Sequence, residues 1–161
     1  MLSFAKVNKM MKYFTMEWLL ACQDSDVSEK DMNRPAKDYG RYYTSIKKQL
    51  PIQFVVFDKS YSLHDAMLRK LNFNVEKQQL KINLMLAIVH KKFIEGRKGT
   101  ITYTGVTDFS SSKRIEKPLA GSDSHGFLVY DEIEVISPGV FEHRLLFESG
   151  IELNITFTYS A

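Results

Sequence analysis

Along the first third of the chain apolar positions recur at helical spacing, and along the remainder they alternate. Ala36, Tyr39, Tyr43, Ile46 and Leu50 follow separations of three and four, which puts them on one stripe of a helix, while Lys37, Arg41, Lys47 and Lys48 point largely elsewhere. Pro35 suits the first turn of that helix and Pro51 ends it. Upstream, Thr15 is a good N-cap for a short helix from Met16 to Cys22, with Phe14 and Leu19 at the two positions of a hydrophobic staple. The cluster Gln23-Asp24-Ser25-Asp26 stops it, because short polar side chains compete for the backbone in turns.

After Pro51 the period changes to two. Met67, Leu71, Phe73 and Val75 alternate, although Arg69 shares their face, and Leu80, Ile82, Leu84 and Leu86 alternate more cleanly against Lys81, Asn83 and Met85. The polar run Glu76 to Gln79 reads as the hairpin between them. Ile101, Tyr103 and Val106 mark another strand, with Gly105 a bulge or a point of close approach. Three more strands follow at Phe127–Ile136, Phe141–Phe147 and Glu152–Tyr159. Ser137-Pro138-Gly139-Val140 fits a type II turn, and Ser149-Gly150 marks the second connection. The basic, Ser-rich stretch from Asp108 to Gly126 has no period and reads as a long loop, of the kind that is usually functional or disordered.

The expected fold is therefore α+β, with N-terminal helices packed on a mostly antiparallel six-stranded sheet, curled into an open barrel or a sandwich. Residues 1–12 read as a loosely ordered leader and 13–161 as a single domain, helical over 13–51 and sheet-forming over 63–161. A length of 161 residues suits one core.

Composition narrows the function classes. Hydrophobic residues make up 44% and charged residues 25%, which argues against disorder or a low-complexity scaffold. The single cysteine, Cys22, can form no internal bridge and no paired-cysteine zinc site, and it points to the reducing cytoplasm. No apolar run approaches the roughly 20 residues of a spanning helix.

The net charge of +3 conceals an asymmetry: residues 1–64 carry 10 Lys/Arg against 7 Asp/Glu, residues 65–125 carry 11 against 6, and residues 126–161 carry 1 against 6. The lone C-terminal cation is Arg144, among Asp131, Glu132, Glu134, Glu142, Glu148 and Glu152. If acidic and basic strands are neighbours, these are cross-strand pairs that set register. If they occupy different faces, the molecule is a dipole able to steer a charged macromolecule.

The usual catalytic signatures are missing: there is no HExxH, CxxC, GxSxG or dinucleotide fingerprint. Gly121 and Gly126 have Walker-like separation, but Phe127-Leu128 stand where Lys and Ser/Thr would be needed, and the Asn154-Ile155-Thr156 sequon lies in an expected strand. His64 and Asp65, as neighbours on a strand, would point to opposite faces and form no ready-made pair, and Asp65 reads rather as the cap of the turn before the first strand. His143 alternates with Phe141, Leu145 and Phe147, and Asp131 with Ile133 and Val135, so an inward Asp131 could orient an inward imidazole. A structural hydrogen bond explains the same pair more often. Asp123 and His125 supply only two ligands for a metal, on a loop. Tyr39, Tyr42 and Tyr43 beside Arg41, Lys47 and Lys48 have the composition of a nucleic-acid surface without any reader motif.

Met11-Lys12-Tyr13-Phe14-Thr15, Leu50-Pro51, Leu63-His64-Asp65-Ala66, Tyr130-Asp131-Glu132-Ile133 and Phe141-Glu142-His143-Arg144 together resemble a bacterial, Bacillus-like family of unknown function, over residues 11–161. The resemblance implies a helical N-terminal part before a strand-rich domain and brings no activity, cofactor or catalytic residues. The ten residues before Met11 depart from the family's start and leave Met1 and Met11 as alternative starts. The strand-rich part is also loosely similar to small immunity-type proteins that neutralise bacterial toxins.

The expected function is non-enzymatic binding of a cytoplasmic protein partner with an acidic surface, through Lys113, Arg114 and Lys117 of the long loop, without cofactor, metal, nucleic acid or membrane. The alternative is a small-molecule or metal-dependent enzyme using His64, Asp131 and His143.

Overall fold

The computed structural model describes residues 11–89, 92–112 and 126–159. Among them are helices α1 (Met16–Ala21), α2 (Glu29–Ile46) and α3 (Ile52–Ser60), and strands β1 (Tyr61–Ser62), β2 (Met67–Asn74), β3 (Gln79–Val89), β4 (Lys92–Tyr103), β5 (Val106–Ser111), β6 (Leu128–Ser137), β7 (Val140–Phe147) and β8 (Glu152–Thr158). No helix among the described residues is long and apolar enough to cross a membrane.

The class is α+β, as expected, but the strands form two antiparallel four-stranded sheets and no closed barrel. In sheet A, β3 is flanked by β4 on one side and by β1 and β2 on the other. Sheet B has the order β5-β8-β7-β6. A single six-stranded sheet does not form because the strand expected across Ile101–Val106 divides at Gly105. There φ is +63°, and a side-chain carbon would come within 2.9 Å of the Thr158 carbonyl oxygen, so glycine suits the place where the chain leaves β4 for sheet B. Part of the expected loop, from Asp108 to Ser111, is consequently strand β5.

One core fills the space between the sheets. Leu80, Ile82, Leu84 and Leu86 of β3 are buried in it with Phe141, Leu145 and Phe147 of β7 and Leu153, Ile155 and Phe157 of β8. In β2 the anomaly at Arg69 is resolved by a register shift between Leu68 and Lys70. It exchanges the two faces, buries Leu68, and then restores the alternation of Leu71 and Phe73. The hairpin of β6 and β7 closes at Ser137–Val140 with Gly139 at φ +75°, the left-handed value that a type II turn demands.

Two helical expectations are corrected. The long helix begins at Glu29, capped by the Ser28 hydroxyl accepting from the Asp31 N–H, so Pro35 lies inside it rather than in its first turn. Proline has no N–H for the carbonyl four residues back, and the Trp18 indole N–H supplies that bond to the Asp31 oxygen at 3.3 Å. The helix ends at Ile46, short of the expected Leu50, and a 3-10 turn at Lys47–Gln49 leads to Pro51, which N-caps α3. The α3 segment Ile52-Gln53-Phe54-Val55-Val56-Phe57 is apolar on all sides, so no periodicity marks it as helical. The short helix α1 forms where expected, the Thr15 hydroxyl accepting from the Trp18 N–H at 3.2 Å.

Candidate functional site

His143 sits on the core face of β7, with 1% of its surface exposed. Its Nε2 lies 2.8 Å from Asp131 Oδ2 on β6, and its Nδ1 lies 2.7 Å from the Tyr103 hydroxyl at the end of β4, so the bond joins sheet B to sheet A. Burial pushes the Tyr103 hydroxyl well above its ordinary pKa, so it stays protonated. In the tautomer that carries its proton on Nε2, the imidazole accepts from Tyr103 at Nδ1 and donates to Asp131 from Nε2, and both ring nitrogens are engaged. The Phe54 ring of α3 meets the imidazole edge-on at 5.3 Å. Nearby, burial raises the Asp58 carboxyl, and the Asp131 charge adds to the effect. The Tyr43 hydroxyl is buried without a partner in good hydrogen-bond geometry, although Asp58 is close enough to help burial raise its pKa.

The structure thus brings Asp131 and His143 together and sends His64 elsewhere. Leu63-His64-Asp65-Ala66 forms the turn before β2, the place expected for Asp65. Asp65 adopts φ +62° there, and its carboxylate lies 3.7 Å from His64 Nε2 instead of on an opposite face. His64 Nδ1 donates to the Val129 carbonyl at 2.6 Å, and its ring rests against Tyr130, whose side chain leaves β6 on the face opposite Asp131. A general base needs a free nitrogen within hydrogen-bond reach of substrate, and both His143 nitrogens are taken. Among the described residues no group of three or more His, Cys, Asp or Glu side chains is arranged to hold a metal ion. Lys113, Arg114, Lys117, Asp123 and His125 lie outside the described residues.

The charge asymmetry resolves into two different surfaces. On the outer face of sheet B, Arg144 is 3% exposed. It bonds Glu142 through Nε at 2.6 Å, Glu132 at 3.5 Å and also Glu134, which is paired in turn with Lys12. Burial works to raise the Glu134 carboxyl, but hydrogen bonds from Lys12 and Arg144 hold it below its ordinary value. The Glu132 carboxylate, 1% exposed, accepts the backbone N–H groups of Lys12, Tyr13 and Phe14 at 2.7–2.9 Å. Residues 11–18 are thereby strapped over the sheet, Met11 and Phe14 packing with Leu146 while the Phe14 ring stacks on Tyr130 at 4.4 Å. Of the expected leader, Met11 and Lys12 belong to this strap and residues 1–10 lie outside the described residues.

Sheet A presents the opposite character. With Leu80, Ile82, Leu84 and Leu86 turned inward, Lys81, Asn83 and Met85 turn out. The register aligns Asn72, Lys81 and Thr102 in one row, Lys70, Asn83 and Thr100 in the next, and Met67, Met85 and Lys98 in the third. The Thr100 hydroxyl donates to Asn83 Oδ1 at 3.1 Å. No ion pair among the described residues involves Lys70, Lys81 or Lys98. The alternation of β3 already signals this face, but only the strand register reveals that lysines of three strands share it.

Residues 7–158 match a family described as a protein of unknown function (DUF4085). No curated protein matches the chain. Among solved structures, an uncharacterised protein from Neisseria gonorrhoeae is similar at 16% identity with a TM-score of 0.32, over 61% of this chain and 89% of that one.

Proposed function

The chain belongs to this family of unknown function, and we propose that it acts there as a non-enzymatic module that binds an acidic protein surface, in the manner of a bacterial immunity-type inhibitor. The observation that carries the reading is the outer face of sheet A: Lys70, Lys81 and Lys98 spread over three strands among Asn72, Asn83, Thr100 and Thr102, with no carboxylate in those three cross-strand rows. Three carboxylates of sheet B, Glu132, Glu134 and Glu142, lie on the outer face of the other sheet and are paired there with Arg144 and Lys12. A face such as that of sheet A speeds encounter with an acidic partner and makes association sensitive to salt. Lys113, Arg114 and Lys117, outside the described residues, are further cations that this reading assigns to the acidic partner, and the cytoplasm of a Bacillus-like bacterium is its setting.

The enzymatic alternative is favoured by one feature, the Asp131–His143 bond beside a cleft that His143 helps to line. It is weakened by the engagement of both imidazole nitrogens and by the position of His64 against Tyr130.

The test is affinity capture from the native cell with the wild-type chain and with a Lys70→Glu, Lys81→Glu, Lys98→Glu variant. An acidic protein recovered in stoichiometric amount by the wild type, released by salt and lost with the variant, supports the reading. Equal recovery by both overturns it.

A further inference from the structure

Sheet B and sheet A treat their edges differently. The outer edge of β6 is covered by α2, whose Tyr39 and Tyr42 hydroxyls accept the Ile133 and Val135 N–H groups at 2.8 and 3.1 Å. The outer edge of β4 has no such cover among the described residues, where β3 is its only strand partner. Along it runs a cleft of about 370 Å³, walled by Phe54 and Phe57 of α3, by Phe157 of β8 and by Tyr159 just beyond it. All five residues from Thr100 to Thr104 border that cleft. Side chains on a strand alternate between faces, so five consecutive lining residues mean that the strand meets the cleft edge-on, with alternate backbone N–H and C=O groups turned away from β3.

We infer that this edge is a strand-addition site: an extended segment of the partner protein pairs antiparallel with residues 100–104 and drops alternate side chains into the cleft. Main-chain hydrogen bonds supply the affinity of such sites, and pockets for every second side chain supply the selectivity. The strand residues Thr100–Tyr103 and Thr104 just beyond them span roughly 13 Å, room for two or three inward side chains. The rings of Phe54, Phe57, Phe157 and Tyr159 select apolar or aromatic ones. Toward its start β4 carries Arg97 and Lys98, both exposed and neither used in an ion pair among the described residues. An antiparallel guest reaches them with its C-terminal end, which is therefore acidic. The inference rests on the partner-binding reading and adds to it the mode of docking.

The experiment pans a library of random heptapeptides against the intact chain. The tightest peptide is then resynthesised unmodified, with N-methyl groups on its odd amides, and with N-methyl groups on its even amides. The expected consensus alternates apolar residues and ends in Asp or Glu. N-methylation on the paired edge removes several hydrogen bonds and weakens binding by about tenfold or more, whereas the other pattern leaves it unchanged. Bound peptide slows hydrogen exchange at residues 100–104, and Arg97→Glu with Lys98→Glu weakens it most at low salt. The inference is overturned if no heptapeptide protects those amides, if the two N-methyl patterns behave alike, or if the amides are already protected in the free chain by its own residues. Loss of the captured protein with the sheet A lysine variant, combined with failure of every peptide at β4, retains the binding reading and discards strand addition.

Discussion

The two sheets share a core yet face outward in opposite ways. Sheet B is closed: a strap over its outer face, a buried arginine among its carboxylates, and tyrosine hydroxyls on the β6 edge. Sheet A is open: three lysines on its outer face and a β4 edge bordered by a cleft. Natural sheets protect their edges because unpaired backbone groups recruit other strands. Protection of one edge and not of the other therefore separates the half that maintains the fold from the half that, in the proposed reading, meets a partner.

The largest effect should come from opening the closed half. Arg144→Met removes the cation that neutralises Glu132 and Glu134 and leaves a buried carboxylate uncompensated, at a cost of about 3–5 kcal/mol in denaturant unfolding. A loss under about 1 kcal/mol would mean that the carboxylates are solvated and that sheet B is less closed than described.

His143→Gln should cost about 1–3 kcal/mol, because Asp131 and Tyr103 lose a partner that spans both sheets. Binding by the folded fraction should persist. Lost binding at unchanged stability would move the functional site from sheet A to the core network.

Tyr39→Phe and Tyr42→Phe each orphan one β6 amide, at about 1–3 kcal/mol or less where water can replace the hydroxyl. A gel-filtration or light-scattering measurement of the double variant should also report self-association through the uncovered edge. A double variant that stays monomeric and equally stable would erase the contrast between the edges.

Acid should loosen the strap before the core. The Glu134 carboxyl is held below its ordinary value, so its contribution is complete above that value and lost as pH falls through the lowered one. Fluorescence of Trp18, which packs against Phe14 and Tyr130, should change in that window ahead of global unfolding. The smallest effect on stability is expected for Lys70→Ser, Lys81→Ser and Lys98→Ser together, within about 0.5 kcal/mol for each.

Local chemistry was legible in the sequence and distant pairing was not. The Thr15 cap, the inward leucines and isoleucine of β3, the Pro138-Gly139 turn and the acidic meander around Arg144 each rest on residues close in the chain. The meeting of Asp131 with His143 was readable from strand parity, because the two residues lie on one hairpin. Tyr103 as the third member was not, since it comes from the other sheet. The α3 helix hid in an apolar run without period, and the Ser28 cap was obscured by the better-known preference of proline for a first turn. Nor could spacing reveal that a buried Glu132 holds the backbone of Lys12, Tyr13 and Phe14, because those groups are more than a hundred residues apart.

Residue-resolved hydrogen exchange on the free, full-length chain tests the contrast between the sheets most directly. The Ile133 and Val135 amides, outside any strand ladder but bonded to the Tyr39 and Tyr42 hydroxyls respectively, should exchange slowly and accelerate in the matching Tyr→Phe variants. Alternate amides from Thr100 to Thr104 should exchange near the rate of unpaired backbone, while their ladder-bonded neighbours stay protected. Equal protection along both edges, or fast exchange at Ile133 and Val135, would contradict the account of one closed and one open sheet.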